Sequence, residues 1–210
     1  NFLITAGPTH EAIDPVRFIG NLSSGKMGIA LALEAAKQGA IVKLVLGPTY
    51  LDCNHSNISV YRVESANEMY NKVNTLFTNS DISIFAAAVA DYTPENVAEN
   101  KIKKSDNNIS ISLVKTTDIL AEMGARKEDH QLVVGFAVET ENELRNAKEK
   151  LEKKHLDMIV LNSLNNKGAG FEYNTNKITI IDKQNNILNF NLKDKSEVAK
   201  DIIAKIIELR

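Results

Sequence analysis

Apolar and polar positions along the chain alternate between two periods. Apolar runs at Phe2–Ala6, Ile41–Leu46, Ile58–Val63, Ile82–Ala88, Leu132–Phe136 and Asp157–Leu161 predict strands. Helical patterns lie between them. One runs near Lys26–Gln38 and stops at Gly39, and another is opened by Ser65-Ala-Asn-Glu68, which has capping-box spacing, and continues to about Phe77. Thr117–Met123 predicts a short helix before Gly124. Thr140-Glu-Asn-Glu143 is a second capping box, and its helix carries Leu144, Ala147 and Leu151 at core spacing, leaving Lys148, Lys150, Lys153 and Lys154 largely on other faces. The last helix, about Lys195–Leu209, has an apolar stripe of Val198, Ala199, Ile202, Ile203, Ile206 and Ile207. Ile109–Val114 alternates and predicts a strand with one wet face. Lys177–Asp182 and Ile187–Phe190, joined through Asn185-Asn186, predict a hairpin.

Strand and helix in alternation mean an α/β protein: a Rossmann-like, doubly wound, mostly parallel sheet with helices on both faces and a C-terminal hairpin. The unbroken apolar run Ile82–Ala88 belongs in the middle of that sheet, covered on both faces. Such sheets bind ligands beyond the carboxyl ends of their strands. That points to Gly7-Pro8-Thr9, Ala90-Asp91-Tyr92, Gly135-Phe136-Ala137 and Leu161-Asn162-Ser163.

The stretch Gly20-Asn-Leu-Ser-Ser-Gly-Lys-Met-Gly28 leads straight into the first helix and reads as an anion-binding turn, with backbone N–H groups and the helix dipole facing a phosphate. Its alternative is a helix-start turn with no ligand. Gly20-x4-Gly25-Lys26 nearly spells a phosphate loop, but Met27 stands where a Ser or Thr hydroxyl would hold Mg²⁺, and over a dozen residues separate the first strand from Gly20. Nor is there a Gly-x-Gly-x-x-Gly turn, and the second strand ends in Gly47-Pro48 without a ribose-binding acid.

Composition narrows the partners. The 210 residues are 43% hydrophobic, enough for a large core in one domain, and 25 basic against 27 acidic residues leave a net charge of −2. Neither a nucleic acid nor a membrane surface is expected as a partner. The lone Cys53, set among polar residues, fits a reducing, cytoplasmic setting. A start at Asn1, without Met and directly before a strand, is what a domain excised from a longer polypeptide would show.

Several side chains could carry chemistry. Lys101-Ile-Lys-Lys104 either faces an anion or is simply solvated. Asp91, directly after an apolar strand, could meet a ribose or a metal-bound phosphate at the crevice mouth, or merely cap its own turn. Lys150 and Lys154 share a helical face and could reach a triphosphate, or pair with Glu in water. Asp14-Pro15-Val16-Arg17 suits a carboxylate or phosphate, or an ordinary loop salt bridge. His10, His55, His130 and His155 show no metal-ligand spacing, which speaks against zinc.

Six motifs together resemble the phosphopantothenoylcysteine synthetase family: Thr5-Ala-Gly-Pro-Thr9, Ile13-Asp-Pro-Val-Arg17, Asn21 with Ser23-Ser-Gly-Lys-Met-Gly28, Ala87-Ala-Val-Ala-Asp-Tyr92, Lys101-Ile-Lys-Lys104, and Val134-Gly-Phe-Ala137 with Glu139-Thr140. The likeness runs from Phe2 to about Asn162. It implies a ligase domain over residues 1–210, joining 4′-phosphopantothenate to L-cysteine in coenzyme A biosynthesis. Bacterial members first transfer CMP from CTP to the acid, then let the cysteine amine displace CMP.

By that resemblance Asn21 steadies the acyl-cytidylate, Lys101 belongs to a lid over the nucleotide, and Arg17 and Ala88 lie near the pantothenate and the intermediate. Ser23 matches a triphosphate contact, and Asp91, Phe136, Lys150 and Lys154 match CTP-binding positions. Mg²⁺ is expected as cofactor, held through the triphosphate, with no protein ligand assigned and Asp91 as the candidate for one. A homodimer is expected, and so is fusion to a flavin-dependent decarboxylase. Leu22, Val138 and Ser163 depart from the family's usual residues. Two other readings stay open: an NAD(P)-dependent oxidoreductase, and a non-catalytic nucleotide-binding sensor on the same fold.

Overall fold

The computed structural model of the chain describes residues 1–104, 108–139, 141–163 and 173–210. In chain order its elements begin with β1 (Phe2–Ala6), β2 (His10–Ala12), β3 (Phe18–Gly20), α1 (Lys26–Lys37), β4 (Val42–Leu46) and β5 (Ile58–Arg62). They continue with α2 (Ala66–Phe77), β6 (Ile82–Phe85), β7 (Tyr92–Pro94), β8 (Leu113–Lys115), α3 (Ile119–Arg126) and β9 (Leu132–Glu139). Last come α4 (Glu143–Lys153), β10 (Met158–Ser163), β11 (Thr175–Asn176), β12 (Ile178–Asp182), β13 (Ile187–Asn189), β14 (Lys193–Asp194) and α5 (Lys195–Glu208).

An eight-stranded sheet runs in the order β13-β12-β10-β9-β6-β1-β4-β5. Pairs from β10 to β5 are parallel, while β12 and β13 add an antiparallel hairpin at one edge. Strands β1 and β6 are buried along their whole length, Thr5 and Ser83 included, as central strands under two layers of helix must be. α1 and α5 cover one face through Leu31, Ala35, Val198 and Ile202. α2, α3 and α4 cover the other through Met69, Val73, Met123 and Leu151. The doubly wound sheet with its hairpin is therefore as expected.

The first capping box also holds: Ser65 Oγ accepts from Glu68 N at 3.2 Å, although the Glu68 carboxylate reaches back to Glu64 N rather than to Ser65. Thr140, the cap expected for α4, lies outside the described residues; the described helix starts after Asn142, itself left-handed at φ 48°.

Five local expectations change. β6 ends at Phe85, because Ala86 and Ala87 turn to donate to the carbonyl and hydroxyl of Thr5. Ile109–Ser112 form no strand, and only Leu113–Lys115 pair, with β7, so the alternating face has no sheet behind it and its apolar side chains are exposed. α3 passes through Gly124 rather than stopping before it; a Cβ there would sit 1.9 Å from the Lys154 carbonyl oxygen, so the glycine serves a close approach. Leu144 and Ile207 match the helical period yet face outward, since each lies at the margin of its apolar stripe. Cys53, with polar neighbours in sequence, is buried in the α1/α5 core, and burial pushes its thiol pKa up.

Candidate functional site

The strand order reverses between β1 and β6. From β1 the chain moves outward to β4 and β5, then returns to β6 on the other side, so the loops leaving β1 and β6 part company there. A cleft of about 660 Å³ opens at that point. Its floor is the segment after β6. Ala88 N donates to Gly7 O at 2.9 Å and bridges to Pro8, which carries the chain across the end of β1.

Opposite lies the turn from Gly20 to Gly28. Gly25 caps α1 in the left-handed region at φ 77°, a conformation that favours glycine, and the first turn of α1 holds no acidic side chain. A Cβ on Gly28 would meet Ala6 Cβ at 2.4 Å, so only glycine lets α1 rest its N-terminus on the end of β1. Asn21 closes the turn over the floor, with Nδ2 donating to Val89 O at 2.9 Å and Ala88 O at 3.3 Å. Ser23 Oγ accepts from Gly25 N at 3.4 Å, and Thr49 Oγ1 donates to Ser24 O at 2.9 Å.

The remaining wall is cationic. Lys150, from α4, donates to Phe136 O at 2.8 Å, and burial, then the charge of Lys154, holds its pKa below the ordinary lysine value. Lys195, the first residue of α5, donates to Tyr173 O at 2.7 Å; burial and then the charge of Lys26 lower its pKa to about 8. Asp91 is the one acidic residue lining the cleft among the described residues. A fold that sets amines inside low-dielectric walls favours an anion as ligand.

A second hollow of about 490 Å³ adjoins the cleft, shares Asp91, Phe136 and Lys150 with it, and ends at Lys154. There Lys154 pairs with Asp118 at 2.8 Å. Asn21, Ser23, Ala88, Asp91, Phe136 and Lys150 thus meet in one cleft, with Lys154 next door.

Arg17 and Lys101 do not join them. Arg17 closes a salt bridge to the buried Asp14 at 2.8 Å and donates to Ile102 O at 2.6 Å, and it lines a separate hollow of about 780 Å³ with His10, Phe18 and Thr116. Lys101 is exposed beside Ile102, whose N donates to Asp14 Oδ2 at 3.1 Å. The Asp14–Arg17 pair thereby ties Ile102, next to Lys101, to the loop between β2 and β3.

Sequence reasoning missed Asn176 and Lys195 as cleft residues, and it held Lys26 only as part of the Gly20–Gly28 turn. Asn162 it marked only by its place after a strand. Lys195 carries no local signal, because it looks like the first residue of an amphipathic helix. Among the described residues no group of three His, Cys, Asp or Glu could hold a metal ion, and no helix is long and apolar enough to cross a membrane.

The family model of the DNA/pantothenate metabolism flavoprotein C-terminal domain matches residues 1–209. The chain belongs to this family. It is 44% identical over 207 residues to the coenzyme A biosynthesis bifunctional protein CoaBC of Bacillus subtilis, covering 99% of this chain and 51% of that protein. It is also 56% identical over 206 residues to a cysteine/cysteine sulfinic acid decarboxylase from an unknown prokaryotic organism, covering 98% of this chain and 57% of that one. The chain spans about half the length of these relatives. Among solved structures, the C-terminal domain of a CoaBC protein superposes with a TM-score of 0.82 at 41% identity, over 98% of this chain and 92% of that domain. The superposition shows that the sheet is shared with that domain.

Proposed function

We propose that this family member is a phosphopantothenate–cysteine ligase that activates its acid with CTP. The observation carrying the reading is the meeting of Asn21, Ser23, Ala88, Asp91, Phe136 and Lys150 at the sheet's switch point, in a cleft whose wall bears further amines. An oxygen of the 4′-phosphopantothenate carboxylate attacks the α-phosphorus of CTP, the bond to the β-phosphate oxygen breaks, and pyrophosphate departs. The cysteine amine then attacks the acyl carbon, CMP leaves with the electrons of the carbon–oxygen bond, and the nitrogen gives up its proton.

Lys150 and Lys154 hold the phosphates and offset the charge that builds as pyrophosphate leaves. The N-terminus of α1 and the Ser23 turn supply further N–H donors to the triphosphate. Asn21, pinned over Ala88 and Val89, faces the acyl-cytidylate without adding a charge beside it. Lys101 reaches the nucleotide only if the 101–104 segment leaves Asp14 and Arg17, which is how it would act as a lid. Mg²⁺ brought in by the triphosphate supplies Lewis-acid charge neutralisation. With one carboxylate, Asp91, in the cleft, the donor set fits a metal carried by the nucleotide rather than one caged by protein. The exposed apolar residues Ile109, Ile111, Leu113 and Val114 are suited to the interface of a homodimer.

The relative named as a decarboxylase favours a second reading, decarboxylation of a cysteine derivative. One reaction mixture decides between them. The chain is incubated with phosphopantothenate, cysteine, Mg²⁺ and CTP, and pyrophosphate, amide product and carbon dioxide are all followed. Stoichiometric pyrophosphate and amide are expected, at a rate at least tenfold above that with ATP. Carbon dioxide without pyrophosphate overturns the ligase reading.

A further inference from the structure

Asn162 is the penultimate residue of β10, in register with Val138 on one side and Ile178 on the other, and it lines the cleft. It is 6% exposed, and among the described residues its Oδ1 has no hydrogen-bond partner. A buried amide oxygen left unbonded is costly, and it calls for an N–H or O–H donor. The same cleft is lined by Lys195, 8% exposed. Lys195 is fixed by a short ribbon in which Asn176 pairs with Lys193, and its backbone N donates to Asn174 O at 2.9 Å. One cleft therefore presents an acceptor that needs a donor together with a cation that suits a carboxylate.

A triphosphate cannot satisfy both, since its oxygens only accept and would face the Asn162 oxygen acceptor to acceptor. An α-amino acid can, because its ammonium and carboxylate sit on the same carbon. We propose that the cleft binds the amino-acid co-substrate as its zwitterion, with Asn162 Oδ1 accepting from the ammonium and Lys195 taking the carboxylate. The proposal rests on the ligase reading and adds to it the subsite that selects the amine. It also places the nucleophile in the cleft shared by Asn21 and Ala88, where the acyl carbon has to be.

Two half-reactions separate the possibilities. The pyrophosphate burst without amino acid reports activation alone, and amide formation titrated with L-cysteine or cysteamine reports the second step. The native enzyme is expected to prefer L-cysteine to cysteamine, which lacks the carboxylate, at least tenfold in KM. Lys195→Met should reduce that preference at least tenfold. Asn162→Leu should raise the cysteine KM at least tenfold with the CTP Kd within twofold of native, and it should fold, since it replaces an unbonded buried oxygen with apolar volume.

Equal native use of cysteamine and L-cysteine overturns the proposal without any variant. So does a Lys195→Met enzyme with an unchanged preference. A CTP Kd raised by Asn162→Leu at constant cysteine KM assigns the Asn162 oxygen to the cytosine amino group instead, and likewise overturns it. A native chain that gives neither burst nor amide removes the ligase reading itself, whereas burst and amide without these shifts remove only the amino-acid site.

Discussion

The Lys150 amine on α4 donates to the carbonyl oxygen of Phe136, 2.8 Å away near the end of β9. That bond fixes the amine where the two adjoining hollows meet and uses one of its three donors, leaving two for a ligand. Lys150→Met should weaken CTP binding at least tenfold, about 1.4 kcal/mol, in calorimetric titration. An unchanged affinity would put the phosphates elsewhere.

Asn21→Asp sets carboxylate oxygens against the carbonyls of Ala88 and Val89, which now accept from the Asn21 amide. On the ligase reading it also places a negative charge beside the acyl-cytidylate. Amide formation should fall at least tenfold more than pyrophosphate release, measured in single turnovers. Equal loss in both steps would contradict the role given to Asn21.

Gly28→Ala drives a methyl group into Ala6, whereas a Cβ on Gly39 meets nothing within 4 Å and only strains a φ of 91°. The first substitution should cost roughly 2 kcal/mol and lift α1 off β1, weakening nucleotide binding as well. The second should cost roughly 1 kcal/mol and leave binding alone. Urea melts with nucleotide titrations would separate the two, and equal nucleotide affinities would refute the packing explanation.

Asp157 is the acid-sensitive joint of the fold. Its burial would raise the pKa, but bonds from Lys127 at 2.6 Å, Val133 N at 2.9 Å and Lys183 at 3.1 Å outweigh that and hold it below the usual carboxylate value. Because the folded pKa lies below the unfolded one, the stabilisation is complete above the ordinary value of 3.8 and disappears as pH falls through the folded pKa. Asp157→Asn should lose roughly 2 kcal/mol at pH 7 and flatten the stability profile below pH 4. A variant melting in parallel with the native chain across that range would disprove it.

Patterning along the chain was sufficient for the doubly wound sheet, because buried strands and amphipathic helices repeat with periods that local side chains impose. It was equally sufficient for the Gly20–Gly28 turn and for Asp91, which sit at strand or helix ends where the fold class itself dictates a crevice. Pattern failed at Ile109–Ser112 and Leu144, since alternation reports which side chains could share a face and says nothing of whether another element arrives to cover it.

What only the tertiary structure decided is the company each side chain keeps. Arg17 and Asn21 lie four positions apart, yet a hairpin turns the first toward Asp14 and Ile102 while the second closes over Val89. Asn162 and Lys195, far apart in the chain, line one cleft, the first on the central sheet and the second where the β11–β14 ribbon leads into α5. The sequence by itself determined the sheet, the Gly-rich turn into α1 and the family resemblance, all of them matters of local period and motif. Which amines face one another across the cleft depends on strand order and helix docking, long-range contacts that no local period encodes.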